Sequence, residues 1–119
     1  MVNIELIKNE SGSGYYLIVD GTNVGCAWVG HTDIVPPKEF MNKKSKVVMG
    51  FTIKYNHQRK GFGQILMDKI IDAEKSNGTT CLRLGVEMNN EAAIKIYERS
   101  GFIKDGSLYE KMHYMWKQL

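Results

Sequence analysis

The sequence predicts one α/β (α+β) domain over residues 1–119, with a sheet flanked by helices. Short runs of β-forming residues, separated by turn residues, fill the first half of the chain. Two later stretches carry apolar residues at helical spacing. The first of these stretches lies between two apolar strands, so the middle of the chain is predicted to form a β-α-β unit.

Three strands are predicted in the N-terminal part of the chain. Val2–Ile7 alternates apolar and polar residues, as a half-buried strand does. Tyr15–Val19 and Val24–Val29 are apolar runs of β-forming residues. The Asp20-Gly21 pair between them is a strong hairpin signal, so these two strands are predicted to pair antiparallel.

The next part of the chain predicts a loop, a buried strand and a helix. His31–Lys46 contains Pro36 and Pro37 and has no sustained period, which predicts a loop with one short helical turn. Lys46–Ile53 predicts a buried strand. From Gly61 an amphipathic helix is predicted, because apolar residues recur at helical spacing: Phe62, Ile65, Leu66, Ile70 and Ala73.

The first helix is predicted to stop at Asn77-Gly78, since these residue types accept the left-handed conformation that ends helices. Cys81–Val86 is then a short apolar strand. Asn89 or Asn90 is predicted to cap a second helix, which Gly101 ends. The last strand candidates are Phe102–Ile103 and Tyr109–Trp116.

The composition is that of a soluble globular protein, with 43% hydrophobic and 24% charged residues. The chain has no apolar run of about 18 residues and no signal-peptide pattern at its start, so we expect a cytoplasmic protein without a membrane partner. Cys26 and Cys81 lie in apolar stretches without metal-ligand spacing. We therefore expect two reduced core thiols and no metal site.

The charge pattern is compatible with a local anion site, although a solvated charged surface is the simpler interpretation. The net charge is only +3, but basic residues cluster between positions 43 and 60. Nucleic-acid-binding domains usually have a pI above about 9 and a longer basic stripe, and the pI here is about 8.8. No nucleic-acid partner is therefore expected.

The stretch from Gln58 to Gly63 joins the buried strand to the first helix. At such a junction the first helical N–H groups lack intrahelical partners and the helix dipole is positive, so the backbone can hold a pyrophosphate. Gly61 and Gly63 leave room for the phosphate, while Arg59 and Lys60 add positive charge. The alternative interpretation of the glycines is a tight strand-to-helix turn.

This stretch resembles motif A of the GNAT N-acetyltransferase family, Gln/Arg-x-x-Gly-x-Gly/Ala, with Gln58, Gly61 and Gly63 at its defined positions. The dinucleotide-binding fingerprint fits less well, because Leu66 stands where a third small residue is needed. No Gly-Lys-Ser/Thr sequence follows, so a Walker A loop is absent.

The segment Asn90–Phe102 resembles motif B of the same family, Asn-x-x-Ala-x-x-x-Tyr followed by Gly-Phe. Asn90, Ala93 and Tyr97 are spaced by three and four residues, so on a helix they share one face. The alternative is that Ala93 and Tyr97 are core residues and Asn90 is only a cap. The two motifs stand in the family's order with the expected helix and strand between them, and the resemblance runs from Lys46 to about Tyr114.

The resemblance implies a mixed, mostly antiparallel central sheet flanked by helices. It also implies an enzyme that transfers an acetyl group from acetyl-coenzyme A to an amine by direct attack in a ternary complex. The acceptor would be a small-molecule or peptide amine. The oxyanion that forms during attack would be held by a backbone N–H of the Lys46–Ile53 strand.

The resemblance assigns residues to the acetyl-coenzyme A site. Main-chain groups at the strand end would pair with the pantetheine arm, amides of the glycine turn would hold the pyrophosphate, and motif B would bind the pantetheine region. These residues are Phe51, Thr52 and Ile53, then Gln58, Arg59, Lys60, Gly61, Phe62 and Gly63, then Asn90, Ala93 and Tyr97. Tyr97 resembles the family's general acid, which protonates the departing thiolate, and an ordinary phenol pKa near 10 suits that task.

The sequence marks no single general base. Glu87 is the leading candidate because it follows the Cys81–Val86 strand, although a solvated turn glutamate is the simpler interpretation. Glu39, Asp33 and a water relay remain open alternatives.

The chain departs from the family at its N-terminus. A typical member has two helices between its first two strands, whereas a short Ser/Gly turn stands here, so those helices are predicted to be short or absent. They normally help wall the acceptor site, so the acceptor pocket is expected to be more open, completed by the His31–Lys44 loop, or built by a second subunit. A homodimer would also cover the apolar surface left by the missing helices.

Two other functions are compatible with parts of the same sequence. A catalytically weak acyl-coenzyme A binding module would keep both motifs without useful turnover, and Tyr97 favours the enzyme over it. A nucleotide-phosphate binder would use the same glycine turn.

Overall fold

The computed structural model describes residues 2–31 and 44–119, with backbone alone for residues 107–109. Seven strands form one sheet beside two α-helices, which confirms the predicted α/β (α+β) class. The elements are β1 (Ile4–Lys8), β2 (Gly14–Val19), β3 (Thr22–Gly30), β4 (Ser45–Ile53), α1 (Phe62–Ser76), β5 (Cys81–Glu87), α2 (Glu91–Arg99), β6 (Ile103–Tyr109) and β7 (Met112–Gln118). A short 3-10 helix, Tyr55–His57, precedes α1.

The strand order is β1-β2-β3-β4-β5-β7-β6, and every pairing is antiparallel except that of β4 with β5. The parallel pair follows from the α1 crossover, because a strand that returns through a helix enters the sheet in the same direction. No helix lies between β1 and β2, so the predicted absence of the N-terminal helices is confirmed.

The structure confirms the predicted turn between β2 and β3 and the predicted ends of the two helices. Asp20 and Gly21, with φ angles of 48° and 82°, form the turn between β2 and β3. Gly78 and Gly101 adopt φ angles of 86° and 96° just after α1 and α2. Left-handed residues at these positions end helices, as the sequence indicated.

Each of the last two strand candidates, Phe102–Ile103 and Tyr109–Trp116, overlaps a strand of the structure, but the predicted bounds were wrong. Tyr109 ends β6, and β7 begins only at Met112. Glu110 and Lys111 form the turn between them, with φ angles of 50° and 64°. Hairpin turns of this kind usually carry Asn or Gly, so a Glu-Lys turn gives no sequence signal.

The hydrophobic core lies between the sheet and the two helices. Leu66, Met67 and Ile70 of α1 are fully buried against Leu82 and Leu84 of β5 and their neighbours. Burial of each such side chain contributes roughly 1.5–3 kcal/mol. The amphipathic pattern of α1 therefore fixes the crossover against one face of the sheet.

A buried carboxylate ties α1 to the sheet. Glu74 is 1% exposed and accepts hydrogen bonds from the Tyr15 hydroxyl, from Thr79 Oγ1 at 2.7 Å and from Lys46 Nζ at 2.9 Å. Burial alone would raise the pKa of Glu74, but the hydrogen bonds from Tyr15, Thr79 and Lys46 outweigh it and lower that pKa below its ordinary value. Burial, together with the Glu74 carboxylate, raises the pKa of Tyr15.

The other face of the sheet carries apolar side chains at its surface. Trp28 and Met49, opposite each other on β3 and β4, are 39% and 37% exposed. The homodimer expected to cover such surface stays a prediction. No disulfide joins Cys26 to Cys81, and Cys81 is buried, whereas Cys26 is only half-buried rather than in the core.

Several sequence predictions fall outside the part of the chain that the structure describes. These are the short helical turn within His31–Lys46, the acceptor wall formed by that loop, and the alternative bases Asp33 and Glu39. Within residues 2–31 and 44–119, neither helix combines the length and apolarity that a membrane span requires.

The Glu74 cluster generates a stability prediction. Tyr15→Phe leaves the buried carboxylate with one donor fewer, so the free energy of unfolding at pH 7 should fall by about 1–3 kcal/mol. The lowered pKa of Glu74 means that its ionised form stabilises the fold above its unfolded pKa, and that this contribution disappears as the pH falls through the folded pKa. The loss in Tyr15→Phe should therefore shrink in acid.

Urea unfolding of the variant between pH 3 and pH 7 measures this difference. Tyr16→Phe is the matched control, because Tyr16 is the next residue on β2, is half-buried and packs on Trp28. Equal losses in the two variants, or a loss independent of pH, would show that Glu74 does not depend on the Tyr15 hydroxyl.

Candidate functional site

The site begins where β4 and β5 separate. The two strands pair over only three positions: Ser45 with Cys81, Lys46 with Leu82 and Val47 with Arg83. Beyond that point β4 stays paired with β3, and β5 stays paired with β7. The diverging strands leave a gap in the middle of the sheet.

A β-bulge bends β4 at this gap. Gly50 and Phe51 together face the single residue Ala27 of β3, because the register shifts between the pairs Trp28–Met49 and Cys26–Thr52. Gly50 has a φ of 60°, which suits glycine. Bulges bend the strand that contains the extra residue, so this bulge turns the end of β4 away from β5.

The gap holds a cavity of about 570 Å³, here called the β4–β5 cleft. Tyr97 and Glu87, the two candidate catalytic residues, both line it. The rest of the wall comes from β4, β5, β7 and the start of α2: Val47, Val48, Met49, Gly50, Phe51, Leu84, Gly85, Val86, Asn90, Met112 and Tyr114.

Tyr97 is held rigidly in the wall of the β4–β5 cleft. Its ring packs edge-on against Phe51 at 5.6 Å and against Phe102 at 6.1 Å between ring centroids, and the residue is 6% exposed. This burial raises the pKa of Tyr97 to about 12. The phenol is therefore protonated throughout the neutral range and can act as a hydrogen-bond donor.

Glu87 is the last residue of β5 and is exposed at the edge of the β4–β5 cleft. Its backbone carbonyl accepts a hydrogen bond of 2.9 Å from the N–H of Asn90, which closes the short turn into α2. This turn places Glu87 and Tyr97 in the wall of one cavity although ten residues separate them in sequence.

The N-terminus of α1 has the features of an anion site. Its N-cap is Gly61, which has a φ of 82° and makes no side-chain cap, and the first turn contains no acidic residue. No side chain of the cap or first turn therefore accepts a hydrogen bond from the first N–H groups or offsets the positive end of the helix dipole. An added Cβ at Gly61 would meet no atom within 4 Å, so the approach to these N–H groups is open.

The loop before α1 is fixed by a side chain of motif A. Gln58 Nε2 donates a hydrogen bond of 2.9 Å to the carbonyl of Ile53 at the end of β4. Arg59 adopts the uncommon left-handed conformation, with a φ of 63°. Gln58 and Arg59 therefore bend the chain sharply between the strand and the helix.

A second cavity of about 480 Å³, here called the α1 groove, lies in front of that helix terminus. Two of its lining residues, Phe51 and Asn90, also line the β4–β5 cleft, so the cavities adjoin. The other lining residues are Ile53, His57, Gln58, Arg59, Gly61, Phe62, Gly63, Gln64, Ala92, Ala93, Ile96 and Arg99.

Helix α2 forms one side of the α1 groove. Asn90 is its N-cap and accepts a hydrogen bond of 3.3 Å from the N–H of Ala93, so the cap assignment is correct, and Asn90 faces both cavities as well. Gly63 lets the helices approach closely, because an added Cβ would lie 2.8 Å from Ile96 Cδ1. The second glycine of motif A thus serves helix packing as well as access to the groove.

Most residues that the motifs singled out line one of the two cavities, but Thr52 and Lys60 line neither. The Thr52 hydroxyl instead donates to the Gly50 carbonyl at 3.2 Å, within the bulge. Neither motif gives a role to Gly50, although a glycine inside a strand is a known bulge signal. Neither motif gives a role to Arg99, which continues the helical spacing of Ala93 and Ile96 and lines the α1 groove.

Comparison with known proteins agrees with this architecture. The profile of the Acetyltransferase (GNAT) family matches residues 3–102. A curated relative, the ribosomal protein bS18-alanine N-acetyltransferase of Salmonella typhimurium, is 42% identical over 45 residues, which is 38% of this chain and 30% of that protein. The chain thus matches less than a third of the relative's length.

Solved structures of the same fold cover the whole chain. An acetyltransferase from Bacillus subtilis in complex with CoA has a TM-score of 0.73 at 15% identity, over 100% of this chain and 99% of that one. The ribosomal-protein-S18-alanine N-acetyltransferase of Escherichia coli has a TM-score of 0.72 at 17% identity, over 99% and 94%. At 15% and 17% sequence identity, these two structural similarities establish the fold and nothing more. With the family profile matching 3–102, the chain belongs to the Acetyltransferase (GNAT) family.

Proposed function

We propose that this protein transfers an acetyl group from acetyl-coenzyme A to an amine. The observation that carries the proposal is the continuity of the two cavities: an anion-binding helix terminus opens into a groove that adjoins a cleft lined by Tyr97 and Glu87. Membership of the family supports the same activity.

The shape of the two cavities fits an extended thioester such as acetyl-coenzyme A. The pyrophosphate would lie against the N–H groups that follow Gly61, with Arg59 beside it. The pantetheine arm would pass Phe51 and Asn90, where the α1 groove adjoins the β4–β5 cleft. The acetyl group would then lie in the cleft beside Tyr97.

The reaction needs one bond to form and one to break. The amine nitrogen attacks the thioester carbonyl, the C–N bond forms, the C–S bond breaks, and coenzyme A leaves as a thiolate. Glu87, directly or through water, accepts the proton that the attacking amine loses. A backbone N–H of β4 beside the bulge would stabilise the oxyanion.

The environment of Tyr97 refines its role. A thiol has an ordinary pKa near 8.5, whereas burial raises the pKa of Tyr97 to about 12, so complete proton transfer from the phenol to the thiolate is uphill. The pKa of the Tyr97 phenol therefore lies further from that of the thiol than the ordinary phenol pKa of about 10 would. We propose that Tyr97 donates a hydrogen bond to the sulfur as charge develops there.

A third cavity, of about 500 Å³, would admit the acceptor. It shares Glu87 and Met112 with the β4–β5 cleft and includes Glu110 and Lys111 of the β6–β7 turn. The carboxylates there suit an amine, which is cationic before it reacts. The relatives from Salmonella typhimurium and Escherichia coli are named as N-acetyltransferases of a ribosomal-protein alanine, and for this chain we propose a small-molecule or peptide amine. A cytoplasmic location, a single domain and a homodimer stay predictions.

The anion site at α1 is tested by Gly61→Glu. The added carboxylate would stand at the approach to the free N–H groups and repel the pyrophosphate, so binding of acetyl-coenzyme A in calorimetry should fall at least about a hundredfold. Gly61→Ala is the control, since it imposes the same strain at a φ of 82° without the charge. Equal affinities in the two folded variants would contradict the anion site.

The role of Tyr97 is tested by Tyr97→Phe, which keeps the ring that packs on Phe51 and Phe102. Affinity for acetyl-coenzyme A should barely change, while single-turnover acetylation at pH 8 should slow by about a hundredfold. The defect should be smaller at low pH, where solvent protonates the thiolate. Because the phenol ionises only near pH 12, the wild-type rate should show no alkaline loss due to Tyr97 below about pH 11.

Three results would change this account. A wild-type rate in Tyr97→Phe would remove the catalytic role of that hydroxyl. A larger loss in Tyr114→Phe, which removes the other tyrosine hydroxyl of the cleft, would transfer the role to Tyr114. Binding of acetyl-coenzyme A by the wild type without acetylation of any amine in a broad panel would favour the acyl-coenzyme A binding module.

A further inference from the structure

The face of the sheet opposite the helices carries an apolar surface beside the β4–β5 cleft. Trp28 of β3 and Met49 of β4 are paired there and are 39% and 37% exposed. The Tyr16 ring of β2 packs edge-on against Trp28, with 6.3 Å between the ring centroids. These three side chains, here called the Trp28 shelf, do not belong to the hydrophobic core.

Two glycines make room for the Trp28 indole. A Cβ added at Gly14 would lie 2.5 Å from Trp28 Cζ3, and a Cβ added at Gly50 would lie 3.0 Å from Trp28 Cδ1. The indole therefore occupies the space that side chains would take at both positions, and it reaches from β2 to β4. Gly50 and Met49 also line the β4–β5 cleft, so the Trp28 shelf adjoins the cleft directly.

The β4–β5 cleft has walls on both faces of the sheet. Val48 and Tyr97 line it on the helix side, where they also belong to the core. Side chains alternate along a strand, so Met49 lines the cleft on the opposite face. The α1 groove lies on the helix side, and a thioester bound in it leaves the mouth beside the Trp28 shelf to the acceptor.

The third cavity opens toward the same mouth. Met112, which this cavity shares with the β4–β5 cleft, lies with its Cε 3.2 Å from the position of a Cβ added at Gly85. Gly85 alternates with core residues of β5, so Met112 lies on the face of the Trp28 shelf. An acceptor in this mouth thus has Met112 on one side and the Trp28 shelf on the other.

We propose that the Trp28 shelf binds an aromatic ring of the acceptor, so that the protein prefers amines joined to a ring through a short link. The inference rests on the proposed function, because it takes the β4–β5 cleft as the place of acetyl transfer. Aromatic pairs are stabilised beyond the burial of their area, and the Met49 thioether adds a favourable sulfur–aromatic contact. The ring can belong to a small molecule or to the first residue of a peptide, since both carry it two carbons from the amine.

The experiment compares kcat/KM for 2-phenylethylamine with that for propylamine, which has a methyl group in place of the ring. Wild type should prefer the ring-bearing amine by at least about tenfold, because the ring buries apolar area against Trp28. Trp28→Leu should bring this ratio close to one by slowing acetylation of 2-phenylethylamine alone. Both amines are measured on one preparation, so partial unfolding of the variant scales both rates equally and leaves the ratio unchanged.

Tyr55→Leu is the matched control, because Tyr55 is an aromatic residue that is 87% exposed and lines none of the three cavities. It should keep the wild-type ratio. Two peptides that differ only in an N-terminal Phe or Ala distinguish the sources of the ring. A preference for the Phe peptide that Trp28→Leu removes assigns the ring to a peptide, and a preference confined to 2-phenylethylamine assigns it to a small molecule.

Four results would count against this account. Equal kcat/KM for ring-bearing and ring-free acceptors in wild type, or a preference that survives in Trp28→Leu, would overturn the inference and leave acetyl transfer standing. Equal slowing of both amines in Trp28→Leu would make Trp28 a support for the bulge at Gly50. A dimer that Trp28→Leu dissociates would assign the surface to a second copy of the chain. Failure of wild type to acetylate any amine would instead defeat the proposed function itself.

Discussion

The short parallel contact between β4 and β5 is the constraint on which the site depends. Three residue pairs hold the strands together, and beyond Val47 and Arg83 each strand remains paired only on its other side. The bulge at Gly50 bends β4 away, and the turn after Glu87 brings α2 across the opening. Strand separation therefore creates the cleft, and the crossover through α1 supplies the helix terminus next to it.

Helix packing joins the two ends of the site. Gly63 allows α1 and α2 to approach, so one groove runs from the free N–H groups after Gly61 along α2 to Asn90 and into the cleft. The buried Glu74 cluster anchors the far part of α1 to the sheet through Tyr15 and Lys46. The Glu74 cluster thus lies away from the groove, while the N–H groups at the start of α1 face it without a side-chain cap, as an anion site requires.

The sequence predicted the features that local chemistry determines. Gln58, Gly61 and Asn90 of the two motifs line the α1 groove, and the helix ends follow from capping residues. The cleft itself was not predicted, because strand separation depends on non-local register. The Glu110-Lys111 turn lacks any glycine signal. The high pKa of Tyr97 arises from packing on Phe51 and Phe102, which only the folded chain brings together.

The central claim is that one ligand occupies both the α1 groove and the β4–β5 cleft. Backbone amide hydrogen exchange with and without acetyl-coenzyme A tests it directly. The account predicts slower exchange in three segments: residues 61–64 at the helix terminus, residues 48–53 of β4 and residues 84–87 of β5. Slower exchange at 61–64 alone would contradict it, because the thioester would then lie outside the cleft.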